Sequence, residues 1–499
     1  MWPGICRKAP ASCYAATKRG YGRAFPCHAS PYRRTAKRSD WANLHLGLLY
    51  SDAGVYAQAS YGYYTARSEG TKRKKYSNHN QGYKTQKSIA MAVKIVIPSK
   101  AFLQDLESRG QRLRSAGPGL DLHSAKGKTA HIHDLIQNGP NQKKMRSALA
   151  ASRSQGVYHA LANLCTFVID EEQIDESYFK NAFDATIREN VEVASVTPAE
   201  ISQESLATLP EFWHKKKLNL DGSLTGRNIN VGVIDSGIYA SHQEFAGKQI
   251  KFAEFDSVGK LVGTTPKDYG THGTHVCGLL AGKNAGVAPD ASLTVAACLT
   301  ERGGTAGYLA QILGGLNYLL EQGSDNDTQE GRVHLINASI ESASGFNDYL
   351  HGALDMALTE PGTLMIAAIG NNGSKGKNSD SSPGNYDLTL GIGALDENDQ
   401  VASFSSWGTV AQLGNITKPD ISAPGVWLYS SLSGPGNQYF KQSGTSMASP
   451  VAAGIAALLL ERQPELITQP LKLKELLLNM VIPLQDVERA GKGRINLSS

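Results

Sequence analysis

The sequence predicts an α/β fold, a mostly parallel twisted sheet with helices on both faces, preceded by a small α+β domain. Three observations predict it. From Asn228 onward, short β-branched apolar runs alternate with stretches of helical period. Two of those runs end in a chemically useful polar residue, Asp235 and Asn371. Near Met91, a basic stretch without period gives way to strand–helix–strand order. Continuous apolar strands between helices mark a parallel sheet covered on both sides. Such sheets gather their active sites at the carboxyl ends of the strands.

Bulk properties set the outer limits. A chain of 499 residues exceeds one typical domain, so two or three units are expected. Residues 1–90 hold 16 Lys or Arg against 3 Asp or Glu, whereas the rest holds 34 against 42. Basic clusters such as Arg33-Arg34 and Lys72-Arg73-Lys74-Lys75 alternate there with Tyr61, Tyr63, Tyr64 and Tyr76. Charge with aromatics is a pattern that can hold single-stranded nucleic acid. The weight falls instead on a disordered tail, or on a stretch left untranslated because the true start is Met91; no nucleic-acid partner is expected. No apolar run approaches the 18 or so residues that span a membrane, so no membrane partner is expected either. The cysteines at 6, 13, 27, 165, 277 and 298 form no CxxC pair, which is neither a disulfide framework nor a zinc pattern. Residues 1–30 lack the apolar core of a secretory signal. That leans slightly toward an intracellular protein and leaves the compartment open.

The elements follow in order. Val93-Lys-Ile95-Val-Ile97 reads as a strand, 101–113 as a helix and 164–169 as a second strand. Residues 172–188 read as a helix on the spacing of Ile174, Tyr178, Phe179, Phe183 and Ile187. Residues 191–196 close the small domain, 91–200, as a strand, and 202–217 read as a linker with a short helix. In the larger domain, 205–499, strands are expected at 229–234, 293–299, 333–340, 363–369 and 388–392. Helices are expected at 272–283, 306–322, 348–359 and in the apolar run from Val451 to Leu460. Pro450 suits the first turn of that last helix, where its missing NH has no partner anyway.

The chemistry lies in four motifs. Gly444-Thr-Ser446-Met-Ala-Ser-Pro450 sets a serine among small residues at a helix mouth, beside free NH groups and a positive dipole end. A serine hydroxyl needs a base and an orienting acid before it attacks anything. Asn230-Val-Gly-Val-Ile-Asp235-Ser-Gly237 places an acid where a buried strand ends, a position also used for metal or ribose binding. Gly270-Thr-His272-Gly-Thr-His275-Val-Cys-Gly278 places a histidine at a helix start between glycines that admit close approach. His272 and His275 would also suit a zinc pair, although no third ligand presents itself nearby. Gly370-Asn371-Asn-Gly373 is either a plain turn or a neutral NH donor for an oxyanion.

Acid, histidine, asparagine and serine in this order, with these flanks, resemble the subtilisin-like serine proteases, the subtilase family. The resemblance covers about 205–499 and implies a serine endopeptidase of subtilisin-like fold. It implies that Ser446 attacks, His272 moves the proton, Asp235 orients the imidazole, and Asn371 with the Ser446 NH holds the oxyanion. It implies extended substrate binding along two segments, Arg302-Gly303-Gly304-Thr-Ala306 and Ser339-Ile340-Glu341. The family usually has glycine where Glu341 stands, and an acid there is expected to favour basic substrate side chains. By layout, 91–200 is similar to the inhibitory propeptide of a zymogen, with the cut expected near 197–209, although 110–152 is longer and more polar than a minimal one. The loop at 279–289 lacks the ligand-rich insertion of calcium-binding members, so no metal or other cofactor is expected, calcium at that site included. Cys277 replaces the usual alanine, as a packing thiol through which mercurials would inhibit. Ala490-Gly-Lys-Gly493-Arg-Ile-Asn496 resembles the close of such domains, so no further module is expected. Partners are then protein or peptide substrates and the chain's own propeptide, acting on a monomer. The rival reading is a catalytically silent binding protein that keeps the fold.

Overall fold

The computed structural model describes residues 93–99, 101–104, 128, 159–170, 176–196, 200–206, 209–322, 331–342, 345–348, 350–352, 354 and 363–497. The basic Tyr-rich segment 1–90, most of the helix expected at 101–113, the polar region 110–152 apart from Lys128, and most of the helix expected at 348–359 lie outside these residues.

The first elements are β1 (Val93–Ile97), β2 (His159–Leu161), β3 (Thr166–Asp170), α1 (Glu176–Phe183) and β4 (Thr186–Glu189). The strands form one antiparallel sheet in the order β2-β3-β1-β4. The helix expected over 172–188 stops at Phe183, and its last residues turn back as β4. Asp184, at φ 46°, makes the reversal. Two extended strands follow, β5 (Glu192–Ser195) and β6 (Glu200–Leu206), then a short helix, α2 (Trp213–Lys217).

From β7 (Asn230–Asp235) the chain builds the main sheet. It adds β8 (Ile250–Phe255), β9 (Leu261–Gly263), α3 (His272–Ala281), β10 (Ser292–Ala297), β11 (Ala306–Tyr308), α4 (Leu309–Glu321), β12 (Leu335–Ala338), β13 (Ile340–Ser342), β14 (Leu364–Ala368) and β15 (Leu390–Leu395). A hairpin of β16 (Gly408–Val410) and β17 (Ile416–Lys418) precedes β18 (Ile421–Pro424), β19 (Leu428–Ser431), β20 (Tyr439–Ser443) and α5 (Thr445–Arg462). The chain ends through β21 (Val481–Ile482) and β22 (Arg494–Ile495).

Ten of the described strands form a sheet in the order β21-β22-β18-β15-β14-β12-β7-β10-β8-β9. Its pairs are parallel except at the two edges, β21 with β22 and β8 with β9. Along the central strands β7, β10, β12 and β14 the side chains alternate between two cores. Val231, Val233 and Leu335 join α3 and α5 on one face, while Ile234 and Ile336 join α4 on the other. The small antiparallel sheet sends Val93, Ile95 and Val168 into that second core, beside Leu309, Leu313 and Leu316 of α4. Between Val451 and Leu460, helix α5 is apolar all round because it is buried all round there, its side chains at 0–1% exposure. No helix among the described residues is long and apolar enough to cross a membrane.

Strand β7 lies between β12 and β10, so chain connections diverge to both sides of it. A cleft opens at such a switch point, beyond the carboxyl ends of the strands. Asp235 stands there.

Candidate active site

Three elements converge on one point. Asp235 ends β7 fully buried, and its Oδ1 also accepts from the Ser236 NH at 2.7 Å. His272 opens α3, with Nδ1 at 2.8 and 3.0 Å from the two Asp235 oxygens. Helix α3 can approach this closely because residue 273 is glycine; a Cβ there would stand 2.2 Å from the Gly237 carbonyl. Asp268 braces the corner by accepting from the Ser236 hydroxyl and from the Thr274 NH at 2.9 Å. Burial opposes protonation of His272. The Asp235 charge and hydrogen bond, with Asp268 farther off, outweigh it, so the imidazole pKa stands above its ordinary 6.5.

Ser446 lies in the first turn of α5, where NH groups have no intrahelical partner. The helix begins at Thr445, earlier than the sequence suggests, so Pro450 sits inside it. Proline lacks the NH that would bond the carbonyl four residues back, and that carbonyl belongs to Ser446. The Ser339 hydroxyl donates to it instead, at 3.1 Å. The segment at Ser339 is thus tied to the backbone of the serine. Asn337 continues the tie, donating to the Ser339 hydroxyl and accepting from Ser449 at 2.7 Å.

Asn371 follows β14. Its Oδ1 accepts from the Thr445 NH at 2.9 Å and the Thr445 hydroxyl at 3.0 Å. With the carbonyl oxygen so engaged, the donor end of the amide is its Nδ2. Thr445 carried no sequence signal of its own beyond adjacency to Ser446, and neither did the hydroxyl of Ser339.

A strand of the chain itself occupies the cleft. β5 pairs antiparallel with β11 on one side and β13 on the other, matching Ala194 to both Ala306 and Glu341. Beyond it the Ser195 NH reaches the Thr305 carbonyl at 3.0 Å, and the Val196 NH reaches Ser339 at 3.2 Å. The Val196 carbonyl then accepts from the Ser446 hydroxyl at 2.8 Å. His272 Nε2 is buried with no partner among the described residues. Past Val196 the chain reappears as β6, antiparallel to β20 just ahead of Ser446.

Of the expected substrate-binding residues, Ser339, Ile340 and Glu341 line this track. Gly303 and Gly304 stand aside from it. Both have positive φ, 67° and 82°, and make the turn that packs on Gly270, so the pairing falls to 305–308. His275 is turned away from His272, its Nε2 3.2 Å from the carbonyls of Leu428 and Phe440. Cys277 is wholly buried in α3, and burial pushes its thiol pKa far up.

A model of the Subtilase family matches residues 226–495, more than half of the chain. The chain belongs to the subtilase family. Serine protease AprX of Bacillus subtilis (strain 168) is 35% identical over 325 residues, spanning 58% of this chain and 70% of that one. Subtilisin DY of Bacillus licheniformis is 37% identical over 280 residues, spanning 55% of this chain and 91% of its own length. The crystal structure of a cold adapted subtilisin-like serine proteinase matches with a TM-score of 0.48 and 24% identity, covering 57% of this chain and 98% of that one. This subtilase is a serine endopeptidase, with protein or peptide substrates.

Proposed function

We propose that the subtilase is made as a zymogen that cuts its own chain after Val196, through an Asp235–His272–Ser446 triad and an acyl-enzyme. One observation carries the reading: the Val196 carbonyl rests on the Ser446 hydroxyl, at the end of a strand held on both sides as a substrate would be. In the reaction Ser446 Oγ bonds to the Val196 carbonyl carbon while His272 Nε2 takes the hydroxyl proton. Asp235 keeps Nδ1 protonated and stabilises the imidazolium. The oxyanion is met by the Asn371 Nδ2 and the Ser446 NH. The bond to Thr197 then breaks, and His272 returns the proton to the leaving amine. Water, activated by the same histidine, releases the Val196 carboxylate and restores Ser446.

After the cut, the segment ending at Val196 keeps its pairing with β11 and β13, and its sheet keeps its apolar contact with α4. It therefore stays as an inhibitor until it is destroyed. Mass spectrometry of the purified protein checks this directly. A new amino terminus at Thr197, absent from Ser446→Ala, is expected, together with fluorophosphonate labelling of Ser446 once the segment has gone. An intact chain that never labels would mark the silent binding protein instead.

A further inference from the structure

The cleft holds a carboxylate that the chain's own strand leaves without a counter-ion. Glu341 lies on β13, two residues beyond the Ser339 carbonyl that receives the Val196 NH. Its Oε2 is buried and has no hydrogen-bond partner among the described residues. A Cβ on Gly370, the residue before Asn371, would stand 3.3 Å from that oxygen. The carboxylate therefore sits between β13, whose neighbouring Ser339 carbonyl bonds the Val196 NH, and the Gly370–Asn371 segment that follows β14. Its polar neighbour is the hydroxyl of Ser381. Lys375 acts on it from beyond ion-pair distance and is itself exposed. Burial raises the Glu341 pKa, the mark of an anion that has lost water without gaining a full partner.

Resting on the peptidase reading above, we propose that Glu341 makes the residue before the scissile bond lysine or arginine in substrates cut in trans. An ammonium or guanidinium there supplies the donor that Oε2 lacks. Val196, fully buried and aliphatic, cannot. The propeptide tail is accordingly a poor substrate held by its tether and its strand pairing. A basic chain is a good one.

Two measurements test this. The first uses tetrapeptide amides differing only in the residue before the cut: Lys, Arg, Gln, Leu or Phe. The parent enzyme should favour Lys and Arg over Gln and Leu in kcat/KM. Glu341→Gln should lower that preference by about 10–100-fold, the worth of one charge-assisted hydrogen bond. Fluorophosphonate labelling confirms that the variant is folded. The second needs no catalysis. In a Ser446→Ala chain, Val196→Lys should raise Tm, and adding Glu341→Gln should abolish the gain. Equal or better cleavage after Leu or Phe by the parent overturns the proposal, as does a Lys preference that survives Glu341→Gln. If no peptide is cut and no probe labels, the peptidase mechanism itself falls, and this proposal with it.

Discussion

Asn371 has one end fixed and, in the proposed mechanism, the other turned to the oxyanion. Thr445 holds its carbonyl oxygen through both an NH and a hydroxyl, so the amide cannot flip without breaking two bonds. Asn371→Leu should therefore lower kcat by roughly 100–1000-fold with KM little changed, the range known for the matching donor of subtilisin itself. Progress curves on a peptide amide would show the split. In the proposed mechanism His272 sets the pH response. Only the neutral imidazole accepts the serine proton, and its pKa is raised above 6.5, so kcat/KM should climb as pH rises through a value on the alkaline side of 6.5. Removing the opposing charge with Asp235→Asn should shift that limb to lower pH and cut the rate by about ten-thousand-fold. A pH–rate profile of both proteins checks sign and size together.

At the scale of elements, the loop after α3 is held by a side chain. Glu244, 1% exposed, accepts from the NH groups of Asn284 and Ala285 at 2.8 and 2.9 Å and from the Asn284 amide at 2.7 Å. The Tyr439 hydroxyl gives it a fourth bond, at 2.6 Å. A carboxylate with this many donors does for a short loop what a bound cation can do for a long one. Glu244→Gln turns an amide against those NH groups and should cost about 2–3 kcal/mol, read as a lower Tm in a Ser446→Ala background. A chelator should leave the Tm of the parent unchanged. The same scale shows what the sequence could carry. Asp235 and His272 were legible because each caps an element whose period is plain. The start of α5 is not, since four of the five residues at 445–449 are small and show no period, and Pro450 reads as a first-turn residue. β6 and β20 were hidden for another reason. Glu200-Ile-Ser-Gln-Glu-Ser-Leu206 and Tyr439-Phe-Lys-Gln-Ser443 are mixed polar stretches that become strands by pairing with each other across 233 or more residues.

The whole molecule keeps several histidines neutral. His275 and His214 are completely buried, and burial, the main cause, brings their pKa to about 3 and about 4 respectively; His334, less enclosed, also falls to about 4. An unfolded chain binds protons at these sites near 6.5, whereas the folded one does not. Their contribution is thus fully present above about 6.5 and is lost as pH falls toward the folded values. Tm of the Ser446→Ala chain should decline steadily from pH 7 to pH 4, and His275→Gln should flatten the slope. The large sheet was legible from its apolar runs. In sequence the strand in its cleft shows only as the close of a small domain, because nothing within 191–196 names β11 and β13 as its neighbours.

The chain leaves the small sheet at β4, follows the cleft as β5 as far as Val196, and is described again from Glu200 as β6 against β20. If the bond cut first belongs to the molecule that cuts it, the event is first order. Its half-time should not change over a hundredfold dilution, because the tether fixes the local concentration of the scissile bond. In the same proposal, freeing the cleft afterwards takes a second molecule. Activity should then appear after a lag that shortens as protein concentration rises, and a trace of finished enzyme should erase that lag.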